Sequence, residues 1–503
     1  MRIFKEQTRE IVERWTGDVT VGNCAASPIR YIVPECLALW RTMQRRNFLT
    51  SLPAAAALAS APLHAEGGST SPSSPVIYVA SGSINGVLAR SLMPPQGPSP
   101  LPQSPDFREL RFTGRQRNYQ PSIAADTWYP SWAADGSLYS TFADGSVARA
   151  DGTTVSVNCQ WEFSDDKQER WFRDLGLSVV HSRVVAERQK STTTGNAILD
   201  GDDPFNLTVR PLAPFSRQTL RYEGYYPCAN LFHRGVWYIG GYYCHRWLNQ
   251  HNVPITYELG GFGGFRISKD GGQTWTDSPF DDRQPLFPET GRCSGDAAIK
   301  LGTPHFVDFG RDMEHSPDGF AYLVGHGTYA PDGVCNWSSG DAISLARVRP
   351  TPDSINDLSA YEFFAGHDHN GNPAWSKDFS RISPVLEWPG GAGCANITYH
   401  PHLKRYFGFL CMGWFDGDSG GYDTLVVESH ELTGPWHQVA RIRGMGGQPY
   451  FVCMPSKFLQ ASKKLILFYS ANWRADRPGV PALPPTDSAQ GAYSLCVAEF
   501  ELA

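Results

Sequence analysis

Five times between residues 128 and 472 the chain repeats one pattern: an apolar strand, a polar turn, and a second strand rich in Tyr, Phe and Leu. The copies run over residues 128–142, 225–243, 304–326, 394–411 and 451–472. Proline stands near the start of the first strand at Pro130, Pro227 and Pro304, and at Pro455 in the fifth copy. One hairpin cannot bury its own apolar face, and the stretches between copies leave room for two further strands each. A four-stranded antiparallel unit recurring along a chain is the pattern of an all-β fold, the β-propeller, here with five four-stranded blades. The 49 Gly, 38 Pro and 13% aromatic residues suit many short strands joined by turns.

The first copy carries the first sign of chemistry. Residues 127–133 and 137–142 read as strands around a tight Asp135-Gly136 turn, a strong hairpin signal. Pairing centred on Asp135 sets Asp126 opposite Asp144, with Cβ atoms about 5 Å apart. Two like charges at that distance are unfavourable unless a site uses them. The bland alternative is that both acids close turns, as Asp does before Gly.

In a propeller the open ends of the innermost hairpins ring a central pocket, and the loops after each second strand form its rim. Aligned on their turns, the copies bring Asp126 with Asp144, Tyr226 with Tyr243, His305 with His326, Cys394 with Cys411, and Val452 with Asn472. Asp126, Asp144, His305 and His326 are the candidate catalytic residues. Tyr226, Tyr243, His245, Arg246, Asn336, Trp337, Trp414, Trp473 and Arg474 are the candidate substrate-binding residues. Aromatic planes stack on sugar rings, while amides and arginines bond to hydroxyls and carboxylates. Asp312, Glu314, His315 and Asp318 form a tempting cluster, but it falls at the far turn of the third copy and reads as structural.

The N-terminus reads as an address. Arg45-Arg46 in Met43-Gln-Arg-Arg-Asn-Phe-Leu, followed by an apolar run over 52–61 and Leu63-His64-Ala65, is a twin-arginine signal over residues 43–65. Residues 1–42 then become an upstream extension, with Met43 the expected start. The Pro- and Ser-rich stretch 66–122 reads as a linker or wrapping arm, in which Val76 to Val79 suit one strand, and 123–503 as a single propeller domain. The expected location is periplasmic or extracellular. A net charge of −6 gives no reason to expect nucleic acid or an anionic membrane as partner, so the expected partner is a carbohydrate and the expected state a monomer. Of eleven cysteines, Cys24 and Cys36 precede the signal, leaving nine, with no zinc-like spacing. Cys394 and Cys411 are placed to bridge in an oxidising compartment. No motif requires a cofactor, although Asp and His donors are compatible with a bound metal ion.

Several motifs resemble known families. Residues 268–275, Ser-Lys-Asp-Gly-Gly-Gln-Thr-Trp, match the Asp-box of sialidase-like propellers, and Thr433-Gly434-Pro435-Trp436 resembles the outer-strand ending of five-bladed sugar-cleaving propellers. With Asp126-Thr127-Trp128 and its Asp-Gly turns, the chain from about residue 124 onward resembles the former domain-of-unknown-function propeller family that includes the endo-D-arabinanases. That resemblance implies glycoside hydrolysis by paired aspartates, here Asp126 and Asp144. A second resemblance, to propeller ulvan lyases, implies proton abstraction by His305 and His326, but the Tyr and Arg pair expected on the next blade has no counterpart. Phe265-Arg266-Ile267-Ser268 departs from the Phe-Arg-Ile-Pro of sialidases, which argues against sialic acid.

The expected activity is therefore hydrolysis of a polysaccharide or oligosaccharide by an aspartate pair. A uronate lyase using the histidines, with Arg474 or Arg246 neutralising the carboxylate, and a non-catalytic carbohydrate-binding propeller remain the alternatives.

Overall fold

The computed structural model describes residues 76–78 and, from residue 99 to 503, all but 158–193, 214–224, 249–253, 282–283, 290–298, 330–334, 336–337, 413–421, 444, 446 and 473–492. The upstream extension, the twin-arginine pattern and its cleavage site lie outside the described residues. Five antiparallel sheets follow one another along the chain and form a five-bladed β-propeller.

Each blade begins at the axis with the first strand of one repeat. In the first blade, Ile123–Asp126 and Ser131–Trp132 pair with Leu138–Ala148, followed outward by Thr194–Asp200 and Thr208–Pro211. The second blade orders Tyr225–His233, Val236–Leu248 and Pro254–Ser268. Gly302–Phe306, Ala321–Gly327 and Ala342–Val348 open the third, which Glu362–His367 and Pro373–Ser376 extend. The fourth contains Gly393–His400, Arg405–Met412, Asp423–Ser429 and His437–Arg443, with Val76–Tyr78 added in parallel at its edge.

The fifth blade is built from both ends of the described chain. Gly447–Cys453, Lys464–Asn472 and Tyr493–Leu502 are completed by Leu110–Asn118, which pairs Leu110 with Leu502 and Asn118 with Cys496. The ring is thus closed by backbone hydrogen bonds from a strand that precedes the first blade. Its sequence, LRFTGRQRN, belongs to the stretch whose composition suggested a linker or arm.

Local chemistry explains the hairpins. The first turn needs Gly136 at φ 92°, and the Asp135 carboxylate accepts the Ser137 N–H at 2.9 Å. In the second blade Arg234 and Gly235 both have positive φ, the two-residue turn that matches strand twist. At the turn over 268–275, Asp270 accepts the Thr274 N–H at 2.9 Å and its hydroxyl at 2.5 Å, while Trp275 packs 5.3 Å from Trp237. Between blades the faces are apolar and aromatic. One such layer joins Leu259, Phe262, Phe265 and Phe287 to Leu301, Leu323 and Phe363. Asp312 accepts the Arg234 N–H at 2.7 Å and lies 3.1 Å from His233, joining the second and third blades at the end away from the open hairpins.

The pairing differs in register from the turn-centred expectation. Ile123 faces Val147 and Ala124 faces Ser146, but Asp126 faces Ala143, because a bulge intervenes. His305 faces Val324, whereas His326 faces Gly302. Cys411 faces Gly393, and Cys394 and Cys411 are buried thiols in one cluster.

Candidate active site

The bulge in the first blade is one of a set. Every innermost strand breaks register near its open end: between Ala124 and Asp126, between Pro227 and Asn230, and after Gly302, Gly393 and Gly447. In or just beyond four of the five breaks stands a non-glycine residue with positive φ: Thr127 at 58°, Thr303 at 39°, Cys394 at 43° and Phe451 at 53°. Each such residue costs on the order of 1–3 kcal/mol and persists only where its surroundings over-determine it. Bulges re-aim side chains and gather beside active sites.

Two residues beyond each of these four stand Tyr129, His305, Asn396 and Cys453. With Asn230 of the second blade they line a cavity of about 30 Å³, enough for a water molecule. One side chain from each blade therefore forms a ring. The Tyr129 ring lies 4.4 Å from His305 and 5.2 Å, edge-on, from Phe451.

Asp126 belongs to the level above, where the first blade meets the fifth. Its side chain is 2% exposed; Oδ2 accepts a hydrogen bond from the Tyr450 hydroxyl, and Oδ1 has no hydrogen-bond partner. Burial first, and then the nearby Asp144 carboxylate, push its pKa well above the usual carboxylate range, against the pull of the Tyr450 bond. The corner is held from several sides. Thr127 N–H donates to Ser470 Oγ at 3.1 Å, Thr141 Oγ1 donates to the Thr127 carbonyl at 3.1 Å, and Trp128 Nε1 donates to the Ala125 carbonyl at 2.9 Å.

Asp144 is exposed, follows the register partner of Asp126, and has φ 49°. Any side chain at Gly145 would meet the Ala124 carbonyl oxygen at 1.7 Å, so the strands can run this close beside Asp144 only with glycine there. The structure thus brings the two aspartates together, one dry and one wet.

The histidines sit differently. His305 is 2% exposed, and its Nε2 has no hydrogen-bond partner. Burial, then His326, lowers its pKa to about 3, so it is neutral in ordinary buffers. His326 is fully buried, with Nδ1 2.9 Å from Thr303 Oγ1. Counted from the bulges, His305 corresponds to Tyr129 rather than to Asp126, three residues further along the chain.

Of the other candidates, Tyr226 is half-buried and stacked at 5.7 Å on Tyr242, and Tyr243 is buried. His245 and Arg246 lie on the strand Val236–Leu248, with His245 opposite Glu258. Asn336, Trp337, Trp414, Trp473 and Arg474 lie outside the described residues. Among the described residues, no three His, Cys, Asp or Glu side chains are grouped closely enough to hold a metal ion. Tyr450, Ser470 and Tyr129 were not among the candidates, and no sequence signal marks them. Their relation to Asp126 comes from the bulges and from the meeting of the first and last blades.

No protein-family model matches the chain, and no curated protein matches it. Solved structures give low-identity overlaps. A family 117 glycoside hydrolase from Zobellia galactanivorans is 11% identical with a TM-score of 0.40, the match covering 79% of this chain and 91% of that one. A protein of unknown function from Dyadobacter fermentans is 11% identical with a TM-score of 0.39, covering 80% and 100%. A GH43 enzyme from Xanthomonas citri, solved with xylotriose, is 12% identical with a TM-score of 0.36, covering 77% and 90%. The five-bladed architecture rests on the sheets themselves.

Proposed function

We propose that this protein is a glycoside hydrolase whose acid pair is Asp126 and Asp144. The observation that carries the reading is the contrast within the pair: a buried carboxyl whose pKa is pushed up by burial beside an exposed one, at the open end of the first blade. Two neighbouring carboxyls in opposed environments are the arrangement that separates an acid from a base or nucleophile. Asp126 donates its proton to the leaving glycosidic oxygen, and Asp144 attacks the anomeric carbon or activates water. Tyr129, Tyr422, Tyr450 and Phe451 pack as a buried aromatic cluster that includes the hydrogen-bond partner of Asp126. The substrate is a polysaccharide or oligosaccharide, met in the periplasm or outside the cell after twin-arginine export.

A screen of the purified protein against polysaccharides, reading new reducing ends and ultraviolet-absorbing unsaturated products together, tests this. Reducing ends without unsaturation are expected, and Asp126→Asn should remove them while leaving the circular dichroism spectrum unchanged. Full turnover by that variant overturns the assignment. Unsaturated products would point to the lyase chemistry, and binding without products to a carbohydrate-binding propeller.

A further inference from the structure

We propose that Tyr450 is a positioning residue for Asp126: by donating to Oδ2 it fixes the carboxyl and with it the affinity of that carboxyl for a proton. This inference rests on the reading of Asp126 as the acid. It stands on a geometry that reaches beyond a single contact. Tyr450 and Ser470 are cross-strand partners in the fifth blade. The Tyr450 hydroxyl donates to Asp126 Oδ2, and Ser470 Oγ accepts the N–H of Thr127, the next residue. One pair on one blade therefore grips both the carboxyl and the backbone of the corner on another.

The grip matters because a carboxyl group has two oxygens and a free rotation. Without it, the Asp126 carboxyl is free to turn and its two oxygens to exchange places. The Tyr450 hydroxyl donates to Oδ2, while Oδ1 is buried with no hydrogen-bond partner, so the tyrosine bond fixes which way the carboxyl faces. The left-handed Thr127, held also by Thr141, keeps the carboxyl from swinging away. Tyr450 itself is fixed by ring contacts to Phe451 at 4.6 Å and Tyr422 at 6.1 Å. Among the described residues, Asp144 and Tyr129 of its own blade also lie near Asp126.

The experiment is a carbon-13 carboxyl titration of the full chain labelled at Asp, with Asp126→Asn to assign the resonance, compared with Tyr450→Phe. A phenolic donor favours the ionised carboxyl, so its loss should move the Asp126 midpoint upward by about one to two pH units, a 10- to 100-fold change in proton affinity. On a substrate found in the screen, the same variant should move the alkaline limb of kcat upward and lower kcat at constant KM. In the unmutated protein the Tyr450 ring-carbon resonance should shift with the Asp126 midpoint, a check that needs no variant at position 450. An Asp126 midpoint unchanged in Tyr450→Phe, or a Tyr450 resonance blind to it, overturns the proposal even if hydrolysis is found. A shifted midpoint in a protein that hydrolyses nothing overturns the hydrolase reading, and with it the catalytic meaning of the grip.

Discussion

Glu289 offers a test of the buried electrostatics that needs no substrate. It lies between the second and third blades, 1% exposed, with Oε1 accepting the N–H groups of Lys300 at 2.6 Å and Leu301 at 2.8 Å. Oε2 is buried with no hydrogen-bond partner. Burial raises its pKa from the ordinary 4.5 to about 7, against the pull of the two N–H groups and the Lys300 charge. The folded state therefore holds this proton more tightly than the unfolded chain does. The resulting stability is fully present below pH 4.5 and is lost as pH rises through 7. At about 1.4 kcal/mol per pH unit, the loss between pH 4 and pH 8 comes to about 3 kcal/mol.

Glu289→Gln keeps the carbonyl oxygen that takes both N–H groups and removes the titration. All other ionisable groups are common to the two proteins and cancel in the comparison. Guanidinium unfolding followed by tryptophan fluorescence, repeated from pH 4 to pH 8, should show the variant gaining about 3 kcal/mol relative to the unmutated protein across that range. Parallel stability profiles would refute the reasoning, because they would mean the carboxyl is solvated or already paired in the folded state.

Two further tests concern the joints between strands and blades. Asn230 donates to the Tyr129 and Tyr139 carbonyls at 2.5 and 2.7 Å and accepts from Trp237 Nε1 at 2.6 Å, so Asn230→Ala orphans three buried groups and should cost about 3–5 kcal/mol in thermal or urea unfolding; a loss below about 1 kcal/mol would show that the first and second blades do not depend on it. Asp423, 10% exposed, is bonded by Arg441 at 2.6 Å and Arg443 at 2.8 Å, and Asp423→Ala should cost about 3–5 kcal/mol by leaving Arg441 unpaired, with an unchanged urea midpoint as the contrary result.

The five hairpins were legible because their signals are local. The apolar strands and the Asp135-Gly136 turn are patterns over a few residues, and the fold uses both. The offset within the site was not legible. Thr127, Thr303, Cys394 and Phe451 carry the left-handed conformation without a glycine to mark it, so counting back from the turns misplaces Asp126 by one register and His305 by two. The Tyr450 hydroxyl reaches Asp126 across 324 residues of sequence, which no local pattern encodes. Leu110–Asn118 was hidden for a different reason. An edge strand flanked by Pro and Ser, with Gly114 and several charges inside it, lacks the apolar alternation of the inner strands.

That edge strand also sets an order of events. Leu110–Asn118 is synthesised before any blade, yet its partner Tyr493–Leu502 is synthesised after nearly all of them. The ring cannot close until the chain is almost complete, and pairing so distant in sequence is a slow step. Asp126 and Tyr450 meet across the same seam. While the seam is open, Asp126 stands in water with ordinary acidity, however well the middle blades have formed. The burial that raises the Asp126 pKa is thus among the last things the chain acquires.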